Sequence, residues 1–348
     1  EFQGKKDGKY PFYKVSDISA SNAQQKIFLG SANNYIDEFD VSMLKGNIIP
    51  AGTIVFAKIG EALKLNKRAI TSCECLIDNN VIGIKPDDNI INLLYFYYYL
   101  LKIDMIHYSE STTLPSVRKS TIEKIEVKIP PIDVQNKRVS ILNLCHETIK
   151  YKVELLYNLE LLVKSRFVEL FGDPVLNEKG WNLTSLESVC QSIYGGGTPS
   201  KKIKEYYMGT IPWVTSKDMK SDIIVDSIEH ITQVAIDNSS TKIIPPESVL
   251  IVIRSGILKH TLPVCINKSR VTINQDLKAL VLDERCKAIY LQYLLKALEK
   301  DILSGVRAVT ADNIEFNSLK KRKIPIPPIN KQIKFSQMVN QINKLKSD

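Results

Sequence analysis

The sequence predicts an α+β protein built from two repeated mixed α/β domains, separated by a long coiled-coil-like helix pair with pseudo-two-fold symmetry. Three observations predict it. The chain repeats itself with a period near half its length. Each repeat mixes β-branched runs with helical stretches. Between the repeats lies a long segment with neither Gly nor Pro.

The repeat is carried by ordered matches. Tyr10-Pro11-Phe12-Tyr13 with Asp17-Ile18 is echoed by Ile211-Pro212-Trp213-Val214 with Asp218-Met219. Ile48-Ile49-Pro50 and the run Thr53 to Gly60 are echoed by Ile243-Ile244-Pro245 and Val249 to Gly256, which sets Lys58 and Arg254 at equivalent strand ends. Ile77 to Val81 matches Ile273 to Leu277, and Tyr95 to Leu101 matches Tyr290 to Lys296. Ile129-Pro130-Pro131-Ile132 returns as Ile326-Pro327-Pro328-Ile329, followed by Gln135 and Gln332.

Within each repeat, Thr53 to Ile59, Val81 to Ile84, Val249 to Ile253 and Ala279 to Leu282 read as strands, since β-branched residues are bounded there by Gly, Pro and Asn. Leu93 to Met105 and Ala288 to Leu303 read as helices from apolar steps of three and four. The aromatic run Tyr95 to Tyr99 suits base stacking in principle. Its helical setting favours core packing.

Proline ends the first domain at Pro130-Pro131. From Val134 to Phe171 apolar residues recur at steps of three and four, including Leu142, Ile149, Leu156, Val163, Phe167 and Leu170, the seam of a coiled-coil-like helix. Such a helix is about 55 Å long at 1.5 Å per residue, and Gly172-Asp173-Pro174 stops it. Lys331 to Lys346 repeats the stripe in short form at Phe335, Met338, Ile342 and Leu345. A lone amphipathic helix has nowhere to bury its stripe, so the terminal helix is expected antiparallel on the central one. The expected boundaries are residues 1–132, 133–172, 173–329 and 330–348. The second domain opens with Trp181 to Leu186 before its glycine segment. The first starts at the counterpart of that segment, Gln3-Gly4-Lys5-Lys6, so its opening strand is expected to be absent from this chain.

Composition narrows the function classes. A hydrophobic share of 44% with 24% charged residues excludes a disordered chain, a collagen and a disulfide miniprotein. Lys and Arg exceed Asp and Glu by 47 to 38, a net +9. That excess suits an anionic partner such as nucleic acid, and equally suits a basic soluble protein with no such partner. The apolar stretch Ile90 to Ile106 is interrupted by Asn92, Lys102 and Asp104 and is too short to span a bilayer. No secretory signal is seen at the start. The cysteines form no CxxC pair and no zinc spacing with histidine, and are expected as buried free thiols in a reducing cytosol. Cys73 and Cys75 share a face if they lie on a strand.

A search for chemistry finds no Walker A spacing, no Rossmann glycine fingerprint and no nucleophile motif around the scattered histidines. No metal-binding carboxylate cluster stands out. Gly195 to Lys202 reads either as a flexible loop or as a loop whose backbone and lysines approach phosphates. Basic and hydroxyl residues recur at equivalent loops. Candidate DNA contacts are Lys58, Ser116, Arg118 and Lys119 in the first repeat, and Thr198, Ser200, Lys201, Lys202, Lys217, Arg254, Ser255, Arg307 and Thr310 in the second. Arg commonly reads guanine edges, while Ser, Thr and Lys mostly hold phosphates. A solvated charged rim would account for any one of them.

The repeat and helix pattern, with Ile211-Pro212-Trp213-Val214, both Ile-Pro-Pro-Ile strings and Ser165-Arg166-Phe167-Val168-Glu169-Leu170-Phe171-Gly172-Asp173-Pro174, resembles the specificity subunit of type I restriction–modification systems over essentially the whole chain. The resemblance implies two target recognition domains, each reading one half of a split DNA site. It implies helices that fix the spacer and dock two modification subunits, which bring S-adenosylmethionine and methylate adenine. A restriction subunit using ATP and Mg can join. The resemblance implies a non-catalytic subunit in a prokaryotic cytoplasm, with double-stranded DNA as partner and no membrane. A protein–protein scaffold without DNA readout, or the recognition part of a fused nuclease or methyltransferase, are the competing readings. A flat salt response in duplex binding would favour the first, and the second would need a methylation motif or a metal-binding carboxylate cluster, neither of which is seen.

Overall fold

The structure is a computed structural model, and it describes residues 4–44, 46–109, 115–304, 307–308 and 312–347. The chain divides into two compact units, Glu1–Glu154 and Leu155–Asp348. The division falls inside the long helix, so residues of that helix belong to both units.

Unit 1 contains β1 (Tyr10–Tyr13), α1 (Val15–Ala23), β2 (Tyr35–Ile36), α2 (Glu38–Leu44), β3 (Ile54–Ala57), α3 (Glu61–Lys64), β4 (Ala69–Ile70), β5 (Leu76–Ile77), β6 (Val81–Ile84), α4 (Leu93–Lys102) and α5 (Lys119–Ile122). Its strands make two small sheets, ordered β2-β1-β5 and β4-β3-β6. Strand β3 is fully buried between its neighbours, as its unbroken apolar sequence requires. Helix α4 is started by the Asn92 side chain, which accepts from the Tyr95 N–H at 3.1 Å. Its aromatics go to the core: Tyr95, Phe96 and Tyr97 are buried with Ile54, Phe56 and Met105. The helical stretch stops at Lys102 and gives way to a 3-10 turn, Met105–Tyr108. Arg68 is a buried cation beside this core; it lies over the Phe56 ring, and burial lowers its pKa to about 10.

The long helix α6 (Ile132–Phe171) is 40 residues, about 60 Å of rise. It starts two residues before Val134 because the Pro131 carbonyl accepts the first helical N–H groups, from Val134 and Gln135. It ends at Gly172, whose φ of 78° needs a residue without a Cβ. The Trp181 indole N–H then caps the Phe171 carbonyl at 2.8 Å.

Unit 2 contains β7 (Asn182–Ser185), β8 (Cys190–Gly195), β9 (Ile211–Val214), β10 (Ile223–Ile224), β11 (Glu229–Ile231), α7 (Gln233–Asp237), β12 (Val249–Val252), β13 (Val264–Asn267), β14 (Thr272–Ile273), β15 (Leu277–Leu282), α8 (Ala288–Ala297), α9 (Glu299–Ser304), β16 (Arg307–Ala308), β17 (Asp312–Asn313), α10 (Phe316–Lys321), β18 (Lys323–Ile326) and α11 (Ile329–Ser347). The expected single helix Ala288 to Leu303 is two, α8 and α9, broken at Leu298.

The duplication is visible strand by strand. The β4-β3-β6 sheet of unit 1 recurs inside the five-stranded order β10-β13-β12-β15-β8. Ile54 pairs with Ile84 as Val249 pairs with Leu280, and Ala57 with Val81 as Val252 with Leu277. The β2-β1-β5 sheet recurs as β11-β9-β14, with Tyr13 on Ile77 as Val214 is on Ile273. This register corrects one match. Lys58 donates its N–H to the Asn80 carbonyl and Ile253 donates to that of Asp276, so Lys58 corresponds to Ile253 and Arg254 to Ile59. The second repeat carries one extra residue before Gly256, which matching on glycine conceals. Strands β7 and β8 have no counterpart among the described residues of unit 1.

Each Pro-Pro helix start is locked by a buried glutamine. Gln135 accepts from the Asn92 N–H at 2.8 Å and donates to the Ile90 and Pro130 carbonyls. Gln332 accepts from Lys287 and donates to Arg285 and Pro327 in the same pattern. Neither is exposed at all. The glutamine therefore ties the start of α6 to α4, and the start of α11 to α8.

Helices α6 and α11 run antiparallel within unit 2. Phe335 meets Phe167 and Phe171 at 5.5 Å between ring centres, while Lys346, near the other end of α11, faces Glu160. Val163, Phe167, Phe335 and Ile342 are buried there, and Leu170 packs at the margin. Leu142, Ile149 and Leu156 are not in that seam: they are exposed at 38%, 55% and 40%. The physical reason is length, since α11 has 19 residues against 40 in α6.

The cysteines are free, but only Cys75, Cys265 and Cys286 are buried; Cys73 and Cys145 are exposed. Cys73 and Cys75 do not share a strand face, because Cys75 makes only an isolated bridge to Ile49. Among the described residues no helix is long and apolar enough to cross a membrane.

Candidate nucleic-acid interface

The site in unit 2 is built on the turn Asn274–Asp276, between β14 and β15. The Asn274 N–H donates to the Val214 carbonyl, and the Asn274 side chain accepts from the Asp276 N–H at 3.1 Å. The glycine segment lies directly against this turn. A Cβ on Gly196 would stand 1.8 Å from the Asn274 carbonyl oxygen, and one on Gly197 would stand 2.5 Å from the Thr241 nitrogen. The Gly197 carbonyl accepts from the Trp213 indole at 3.0 Å and from the Thr241 hydroxyl at 2.7 Å. The glycines are thus required for close backbone packing inside the unit, and the segment is not a loose loop.

Beyond the glycines the chain turns outward and edges a cleft of about 300 Å³ lined by Thr198, Lys201, Trp213, Lys217 and Gln275. Lys201 sits 5.8 Å over the Trp213 ring. The Thr198 hydroxyl donates to the Gln275 side-chain oxygen. Three carboxylates also line the cleft, Asp218, Glu229 and Asp276, and the oxygens of Asp218 and Asp276 are engaged. Asp218 accepts from the Thr215 N–H and hydroxyl and from the Ile228 N–H. Asp276 accepts from Arg254 at 2.7 Å and from the Asn274 amide at 3.0 Å. With Asp218 and Asp276 satisfied from within, the cleft offers two ammonium groups, hydroxyls, an exposed amide and the exposed Glu229 carboxylate. These groups suit phosphates and base edges.

The structure therefore brings Thr198, Lys201 and Lys217 together, with Arg254 at their border through Asp276. Ser255 lies apart: it accepts from Ile257 and lines a second, larger cleft with Lys164, Lys217, Lys296 and Lys300. Ser200 accepts the Ile203 N–H in a turn, and Lys202 is exposed beside it. Arg307 is placed by strand pairing with Asn313, which also bridges to Arg254. Thr310 lies outside the described residues. In unit 1, Lys58 and Ser116 are neighbours: the Val117 N–H donates to the Lys58 carbonyl, and Ile59 bridges Ser116. Arg118 precedes α5 as its N-cap residue, and Lys119 faces Glu123 at 3.6 Å.

Sequence reasoning missed the turn residues Asn274, Gln275 and Asp276 as site members. The signal was the repeated Asn-containing string, Asp78-Asn79-Asn80 against Asn274-Gln275-Asp276, which served only to align the repeats. Among the described residues no group of three or more His, Cys, Asp or Glu could hold a metal ion.

A duplicated α+β scaffold, with an amide-bearing turn held beside cationic loops and a helix joining the repeats, defines a class of two-unit recognition scaffolds. The comparisons with known proteins name the family. A family model described as the type I restriction modification DNA specificity domain matches residues 1–160 and again residues 178–347, and the chain belongs to that family. The EcoR124I/EcoR124II specificity subunit of Escherichia coli is 37% identical over 155 residues, which is 44% of this chain and 38% of that protein. The MjaIX specificity subunit of Methanocaldococcus jannaschii is 29% identical over 194 residues, 53% of this chain and 43% of that protein. The matched stretches thus span well under half the length of these relatives. Among solved structures, the type I restriction–modification S subunit from M. genitalium aligns over 99% of this chain and 87% of its own, with a TM-score of 0.57 at 13% identity. A chain from a structure of type I restriction–modification complex assembly aligns over 100% and 89%, with a TM-score of 0.57 at 17% identity. These likenesses establish the shared fold.

Proposed function

We propose that this chain is the DNA-reading subunit of a type I restriction–modification assembly, each unit reading one half of a bipartite target. The observation that carries this reading is that the family model matches both repeats separately. The same polar turn in each repeat supports it. In this reading α6 sets the spacing between half-sites, and its exposed apolar residues Leu142, Ile149 and Leu156 dock modification subunits. The chain is itself non-catalytic: S-adenosylmethionine belongs to the modification subunits, and ATP with Mg to a restriction subunit where one joins. The location is the prokaryotic cytoplasm.

The test is duplex binding against salt. Counterion release makes log Kd climb with log salt in proportion to the phosphates contacted, with a slope of about 0.9 per phosphate. Lys201→Ala and Lys217→Ala are each expected to lower that slope by about one. A flat salt response would favour a protein–protein scaffold.

A further inference from the structure

The polar turn occurs twice with the same hydrogen bonds, and each copy presents one amide at its tip. In unit 2 the Asn274 N–H donates to the Val214 carbonyl, and the Asp276 carbonyl accepts from the Ile253 N–H. In unit 1 the Asp78 N–H donates to the Tyr13 carbonyl, and the Asn80 carbonyl accepts from the Lys58 N–H. Each turn is closed by its first side chain. Asn274 Oδ1 accepts from the Asp276 N–H at 3.1 Å, and Asp78 Oδ1 accepts from the Asn80 N–H at 2.8 Å. This Asx closure fixes the residue between, which is Gln275 in unit 2 and Asn79 in unit 1. Both are exposed. The outer positions exchange acid for amide, Asn274 and Asp276 against Asp78 and Asn80. Only the tip is an amide in both repeats.

The turn itself does not need an amide at its tip, because its first side chain and its backbone already close it. In unit 2 the Thr198 hydroxyl donates to Gln275 Oε1. That bond orients the amide and uses one of the two Oε1 lone pairs. It leaves the other lone pair and both Nε2 N–H groups for a partner. A donor and an acceptor side by side match adenine in the major groove, where N6 donates and N7 accepts. Guanine presents two acceptors there, which would set one against the amide oxygen, and cytosine presents only a donor. Lys201 and Lys217 line the same cleft and suit the phosphates alongside.

Resting on the reading that each unit binds one half-site, we propose that Gln275 and Asn79 are specificity-determining residues at equivalent points of the two repeats. Each amide pairs with the N6 and N7 edge of one adenine in its half-site.

The test uses the full chain assembled with its cognate modification subunits. The methylation map of the unaltered assembly gives the motif. Competition binding, with duplexes carrying every base pair at each motif position, then reads the preference. One position in each half is expected to require an A·T pair, with a penalty of about ten-fold or more for the other pairs. Gln275→Leu is expected to cut that penalty below about two-fold at one position of one half and to leave the other half intact. Asn79→Leu is expected to do the same in the other half. Gln275→Glu, which can only accept, is expected to move the preference from adenine to cytosine. An unchanged penalty in either Leu variant, an equal loss over all duplexes, or a preference altered at a pair other than A·T would overturn the inference while the two-half reading stands. No bipartite motif from the intact, unaltered assembly would overturn the reading and the inference together.

Discussion

Replacing Gln332 with Met should loosen the start of α11 while leaving its length and shape almost unchanged. The amide of Gln332 has no exposure and makes three hydrogen bonds, to Lys287 at 2.8 Å, Arg285 at 3.0 Å and Pro327 at 2.8 Å. Met fills similar volume but satisfies none of these groups. Stranding a buried polar group costs about 1–3 kcal/mol. Taking the low end for each of three groups gives about 3 kcal/mol. For a unit of this size that lowers Tm by roughly 6–12 °C. Denaturant titration gives the free energy, and segment-resolved hydrogen exchange gives the place: faster exchange is expected over residues 285–295 and 327–339. Gln341→Met, at an exposed position of the same helix, is the control and should change stability by less than about 0.5 kcal/mol. A loss below about 1 kcal/mol for Gln332→Met, or exchange no faster in those segments, would refute the claim that this amide locks the helix start.

Further outcomes follow from the same geometry. Gln135→Met should show the corresponding change over residues 90–100 and 130–139, because its bonds are equivalent. Val163→Asp places a charge in the core between α6 and α11 and should destabilise unit 2 by about 3 kcal/mol or more, whereas Leu156→Asp, at a 40% exposed position, should fold normally and lose only partner docking; chemical denaturation and co-purification with modification subunits separate the two. Gly196→Ala should distort the Asn274 turn, since its Cβ would overlap a backbone oxygen, and should weaken duplex binding measured at fixed salt. In a thiol titration at neutral pH, Cys73 and Cys145 should react promptly. Cys75, Cys190, Cys265 and Cys286 should wait for unfolding, because burial pushes their pKa values to about 12 and leaves them protonated far below it.

Much of the architecture was legible because repetition reports on tertiary structure. The Ile-Pro-Pro-Ile strings with their glutamines located both helix starts, and the pairing register confirms the matched strands. The aromatic run in α4 was correctly assigned to the core by its helical period. What escaped was set by three-dimensional closeness. Arg254 looked equivalent to Lys58 because both precede a glycine, but the strand register aligns it with Ile59, and its guanidinium is held by Asp276. The glycine segment looked like an open loop, yet its glycines are needed where two backbones touch. The seam of α6 was read as continuous from apolar spacing, but spacing cannot say where a shorter partner ends. Exposure of Leu142 and Ile149 is the consequence.

The most direct test of the central claim is the adenine-methylation map of a host expressing this chain with its cognate modification subunit. The account predicts a new bipartite motif, two short specific halves at a fixed gap, with Gly196→Ala altering only the half read by unit 2 and Lys201→Ala lowering methylation without changing the motif. A continuous motif, or no new methylation from an assembly shown to be intact, would contradict it.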